Sequence, residues 1–164
     1  MSFARYALYC GGAAGVASIA TVMLSALAEG RSPFEPVNAT SHWLWGDKAG
    51  MHEEADLAHT LTGAITNQSA AMFWGALFGA WLSSRPPRST GEMFRDAAVT
   101  GAIATTLDYG ILPRRLSPGW ELSVSRPSVV IGMAAMALGL ALGGLAAQEP
   151  RVRLRRSRYL AYAA

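Results

Sequence analysis

Hydrophobic and polar positions divide the chain into four long apolar stretches, at about 6–28, 58–82, 97–112 and 128–147, separated by polar segments marked with glycine and proline. A bilayer core about 30 Å thick requires about 20 mostly apolar residues in helical form. The pattern therefore predicts an all-α integral membrane protein, a bundle of four transmembrane helices forming a single membrane domain. The third stretch is the shortest and carries Thr100, Thr105, Thr106 and Asp108, whereas the fourth has no charged residue. A cleaved signal peptide is the competing reading of the first. Arg5 alone precedes it, its apolar run exceeds the 7–15 residues usual for a signal, and three more spans follow, so it is expected to remain as a helix.

Composition agrees. Of 164 residues, 51% are hydrophobic and 15% charged, against about a quarter charged in ordinary globular domains. This excludes a disordered chain and argues against an ordinary soluble one. A single cysteine, Cys10, rules out an intramolecular disulfide or a multi-cysteine metal site and reads as a small packing residue. The pI near 9.4 would suggest nucleic acid, but the basic residues sit at the ends of apolar runs. Arg5, then Arg85, Arg88 and Arg95, then Arg151, Arg153, Arg155, Arg156 and Arg158 share one side; Arg31, Lys48, Arg114, Arg115 and Arg126 share the other. The richer side is cytoplasmic by the positive-inside rule. Both termini are then inside a bacterial inner (cytoplasmic) membrane, with outer loops at about 29–57 and 113–127 and a basic tail at 148–164 that touches anionic lipid heads. The expected partners are membrane lipids and other integral membrane subunits or copies of the chain itself, with no nucleic acid.

Helices in lipid associate through small residues and interhelical polar contacts. Gly11 and Gly15 on the first span, Gly75 and Gly79 on the second, and Gly139 and Gly143 on the fourth are each spaced for close helix packing, inside the bundle or against another subunit. At about 100° per residue, His59, Thr62, Gly63, Thr66 and Ala70 share a face of the second span with Asn67 on its flank. Ala97, Gly101, Thr105 and Asp108 share a face of the third. Polar groups at such depth turn inward. The two stripes are expected to face each other, pairing His59 with Asp108 as an interhelical hydrogen bond or as the wall of a pocket.

All three histidines, His42, His52 and His59, fall on the outer side with Tyr109, Arg114, Arg115 and Glu121. Trp43, Trp45 and Trp120 suit a membrane interface, where the indole ring is buried and its N–H stays wet. Residues 41–50 read as one short interfacial helix capped by Thr40 or Ser41. The segments Asn38-Ala39-x-Ser41-His42-Trp43-Leu44-Trp45-Gly46 and Asp108-Tyr109-x-x-x-Pro113-x-Arg115-Leu116-x-Pro118-Gly119-x-Glu121 resemble an uncharacterised family of small proteobacterial multi-span inner-membrane proteins. That resemblance implies a multi-span membrane protein and assigns no activity.

No His-x-x-x-His or Glu-x-x-His pair offers familiar metal spacing, only His59 lies on a firm helix for haem ligation, and phosphate loops and CxxC motifs are absent. No metal, cofactor or catalytic set is expected. The leading functional expectation is a non-enzymatic structural or accessory subunit of a larger membrane complex, making outer contacts through His42, Trp43, Trp45, Arg114, Arg115, Trp120 and Glu121. The alternatives are a small membrane enzyme or ligand-binding protein with an outward pocket around His59, Thr62, Thr66, Asn67 and Asp108, and an oligomeric transporter of a small solute.

Overall fold

The computed structural model describes residues 2–161, with side chains as far as Gln148, and is built of helices and turns with no strand among the described residues. In chain order the helices are α1 (Phe3–Ala28), α2 (Glu35–Ala39), α3 (His42–Trp45), α4 (Thr62–Ser83), α5 (Thr90–Thr106) and α6 (Arg126–Ala161). The four long ones form a bundle. The two short ones, with 3-10 turns at Asp47–Met51, Arg114–Leu116 and Trp120–Leu122, form a cap over one end. From residue 149 onward the predicted basic tail lies outside the residues whose side chains are described.

Two helices are long and apolar enough to cross a membrane: α1, and α6 over Arg126–Gln148. The other two are real helices of a different composition. The first turns of α4 hold Thr62, Thr66, Asn67, Gln68 and Ser69, and α5 has 17 residues that include Glu92, Arg95 and Asp96. A capping box starts α5, with the Ser89 side chain accepting from the Glu92 amide and the Glu92 carboxylate accepting from the Ser89 amide. It sets the start of α5 seven residues before the predicted 97. Both helices end at the cap in a single π turn, Leu57–Leu61 before α4 and Leu107–Ile111 after α5.

The helix order across the bundle is α4, α1, α6, α5. Helix α1 packs extensively on α4 and on α6, α5 leans on α6, and α4 and α5 barely touch. Glycine dictates this arrangement. A Cβ on Gly75 would lie 2.3 Å from the Gly11 nitrogen, so the α1 and α4 backbones meet there directly. Gly79 sits against Ala7, and Gly15 against the Gln68 side chain. Across the other face of α1, Gly139 meets Ala13 and Ala14, and Gly143 meets Tyr9 and Cys10. All six glycines singled out from the sequence therefore serve contacts within the chain. Helix α1 is buried on two sides, at Cys10, Ala14, Val22 and Ala26 among others.

The polar stripes meet only near the cap, where Thr66, Asn67 and Ala70 of α4 and Asp108 after α5 border one small cavity. Gly63 abuts the carbonyl of Val37 in the cap, and Asn67 donates to the Gly15 carbonyl of α1 at 3.3 Å. The α5 stripe turns to α6, where Gly101 lies against Ala137.

Candidate functional site

The cap is organised by Asn38, which is fully buried in the last turn of α2. Its amide nitrogen donates to the carbonyls of His52 at 2.7 Å and Glu54 at 3.0 Å, while its amide oxygen accepts from the Thr60 hydroxyl at 2.6 Å. One side chain thus ties the 52–54 segment and the π turn before α4 to α2. Ser41 donates its hydroxyl to the Asn38 carbonyl at 2.7 Å rather than capping a helix. The predicted single helix at 41–50 is broken in two, because Gly46 adopts φ +78°, a left-handed conformation that ends α3 and starts the 3-10 turn.

Loops 29–57 and 113–127 are joined by His42 and Arg115. The His42 ring is buried, its Nδ1 3.0 Å from the Ala39 carbonyl and its Nε2 2.9 Å from the Arg114 carbonyl. Arg115 donates from Nε to the Trp43 carbonyl at 2.8 Å. Trp43 and Trp45 are about half exposed, and each indole N–H is engaged: Trp43 with the Thr66 hydroxyl at 3.1 Å, Trp45 with the Ala58 carbonyl at 2.9 Å. Trp120 departs from expectation. It is buried, because Gly132 of α6 lacks the side chain that would fill the space beside its ring. Glu121 accepts from the Ser117 hydroxyl at 2.8 Å, and Arg114 reaches within 3.9 Å of Asp47. At the join of α1 and α6, Glu29 accepts from the Ser125 amide at 3.0 Å and from the Ser125 and Ser128 hydroxyls, so the end of one helix caps the start of another.

No family model, curated protein or solved structure matches this chain. Two polar sites therefore have to be read from their own chemistry.

The first lies at the cap surface. Asp56 is the N-cap of the π turn and accepts from the His59 amide at 2.5 Å. Its second oxygen, Oδ2, lies 2.9 Å from Nδ1 of His59 and 2.9 Å from Nε2 of His52. The backbone amide of His59, then its ring, hold the Asp56 carboxyl well below the usual carboxylate range. The two imidazoles stack with centroids 4.3 Å apart, and the Trp45 ring flanks His59 at 5.7 Å. His59 therefore pairs with Asp56, three residues before it, and among the described residues no hydrogen bond joins it to Asp108. The sequence signal for this cluster was present as His52-x-x-x-Asp56-x-x-His59. It escapes a search for histidine pairs because an aspartate occupies the middle position.

The second is a cavity of about 90 Å³ beneath the cap, lined among others by Ser18, Thr66, Asn67, Trp74, Asp108 and Trp120. Asp108 accepts a hydrogen bond from the Trp74 side chain. Ser18 donates to the Gly15 carbonyl at 3.1 Å, and Thr66 to the Thr62 carbonyl at 2.8 Å. The Trp120 indole N–H is buried with no protein acceptor. A space of this size and polarity holds a few water molecules, whereas pockets for organic ligands run from about 300 Å³ upward.

Proposed function

We propose that the chain is a four-span inner-membrane protein of the family type its loop segments resemble, with both termini cytoplasmic and the cap on the outer face. In this reading it is a non-enzymatic accessory subunit of a larger membrane complex. Four features support the topology: two membrane-length apolar helices, two further bundle helices running beside them, the excess of Lys and Arg on one side, and half-exposed indoles at the cap. The central position of α1 supports its retention as a structural helix, since its removal would strip both α4 and α6 of their main packing partner.

One observation carries the subunit role. Because α4 and α5 barely touch, a groove of about 330 Å³ opens between them, walled by Trp74, Leu77, Phe78 and Trp81 on one side and by Val99 and Ile103, with Asp96 and Thr100, on the other. Leu77, Trp81, Val99 and Ile103 are about half exposed there. The groove suits a transmembrane helix of a partner, which would complete the layer that α4 and α5 leave open. The polar groups beneath the cap are largely taken up by internal hydrogen bonds around a water-sized cavity, so the cavity has little to offer a substrate.

The test is site-specific photo-crosslinking in native membranes, with a photoreactive residue at Leu77 or Ile103 and, as a control, at exposed Val16 on α1. A discrete adduct to one membrane protein from both groove positions, and none from Val16, supports the reading. Adducts only to lipid, together with recovery of a lone monomer in mild detergent, would sink it.

A further inference from the structure

We propose that His52, Asp56 and His59 form a binding site for a divalent first-row transition ion of the zinc class on the outer cap. The three residues offer one ligand atom each, and these atoms all lie within 4.8 Å of one another. Two imidazole nitrogens and one carboxylate oxygen are the donor set that borderline-soft divalent ions take in sites with open coordination positions. The calcium and magnesium class prefers all-oxygen ligands.

Three features mark the cluster as built. Nε2 of His52 is shielded from solvent and has no hydrogen-bond partner, although Asp56 Oδ2 is 2.9 Å away: the nitrogen is close to the carboxylate but not aligned with it. A metal ion between the two groups would use that lone pair. The backbone under both ends of the cluster is fixed by buried Asn38, through the carbonyls of His52 and Glu54 and through Thr60, whose hydroxyl also accepts from the Asp56 amide at 3.0 Å. The third is the π turn at 57–61. It widens the helix start where His59 turns back toward Asp56, and single π turns of this kind are frequent at functional sites.

Tetrahedral ligand atoms at about 2.0–2.1 Å from a zinc-sized ion lie about 3.3 Å from one another. Small rotations of His52 and His59, both partly exposed, would open their 2.9 Å contacts with Asp56 to admit the ion and bring the two ring nitrogens to that spacing. Oδ1 of Asp56 remains on the His59 amide and orients the carboxylate, as supporting hydrogen bonds do in metal sites. With three protein ligands, water completes the coordination. Acidic Glu53 and Glu54 in the same loop favour a cation. The ion would clip the 52–56 segment to the head of α4, a role independent of whether the α4–α5 groove holds a partner.

The experiment uses the full-length protein in detergent, stripped with a chelator and titrated with Zn²⁺ by calorimetry, with Co²⁺ as the optical probe. We expect one equivalent bound and a rise in the thermal midpoint with added Zn²⁺. His52→Ala and His59→Ala should each weaken binding by at least about tenfold, with no change from Asp47→Asn in the neighbouring turn. X-ray absorption of the Zn²⁺-loaded wild type should show two imidazoles, a measurement that needs no variant to fold. One or no imidazole, or an equivalent retained in the His52→Ala/His59→Ala double variant, would overturn the proposal.

Discussion

Gly75→Ala isolates the contact on which the bundle order depends. The added methyl would stand 2.3 Å from the Gly11 nitrogen and 2.4 Å from its Cα. Ordinary contact begins near 3.4 Å, so the two helices must part by about 1 Å. The obstructing atoms are backbone and cannot rotate aside. Overpacking typically costs about 1–3 kcal/mol, and a rigid obstacle places this case at the upper end. Separation also lengthens the hydrogen bonds from Gln68 to the Gly11 carbonyl, now 3.2 Å, and from Asn67 to the Gly15 carbonyl, now 3.3 Å. Interhelical bonds in membranes average about 0.6 kcal/mol each, which brings the expected loss to about 3–4 kcal/mol. Gly12→Ala is the internal control. It lies on α1 next to Gly11, with nothing within 4 Å of its added carbon, and relief of glycine's backbone entropy should make it neutral or stabilising by up to about 1 kcal/mol. Reversible unfolding in mixed micelles measures both. Equal stability of the two variants would show that α1 and α4 do not meet at Gly11 and Gly75, and the helix order proposed from that contact would fail with it.

Two further outcomes concern the cap. Asn38→Ala removes three hydrogen bonds and leaves two carbonyls and a hydroxyl short of a partner; the expected loss is about 2–4 kcal/mol, with new protease sensitivity in the 46–56 segment, and an unchanged cleavage pattern would remove Asn38 from its central role. Glu29 is held below the usual carboxylate range, chiefly by the Ser128 hydroxyl, then by Ser125. A carboxylate lowered in the folded state adds stability above its unfolded pKa, about 4.3 for Glu, and loses it as pH falls through the folded value. Wild type should therefore melt above Glu29→Gln at pH 7, by a small margin because the carboxylate is exposed and screened. The two should converge as pH falls below about 4, and a constant gap across that range would contradict this assignment.

The bundle was legible in the sequence where the signal was local. Apolar runs long enough to be helices, and glycines spaced four apart, mark the four long helices and the faces on which three of them meet. What local pattern does not carry is which of two glycine faces meets which helix. The stripes on α4 and α5 suggested that those two helices pair. Yet α1 offers glycines to α4 and a line of small residues to α6, and so occupies the centre and holds α4 and α5 apart. Near the cap Asp108 still borders a small cavity with Thr66 and Asn67 of α4, and His59 lies outside that lining. His59 turns to Asp56, its neighbour across a π turn that periodicity at 100° per residue does not anticipate, and Asp108 turns to Trp74. The same geometry leaves Trp120, a residue that composition alone assigns to the interface, covering Gly132 in the core. The chemistry of this chain thus divides by depth. The polar groups of α4 and the π turn after α5 are taken up inside the bundle, in helix contacts and around a small cavity. The imidazoles of His52 and His59, which the fold gathers around Asp56 at the cap, are the donor set on which the proposed ion site rests.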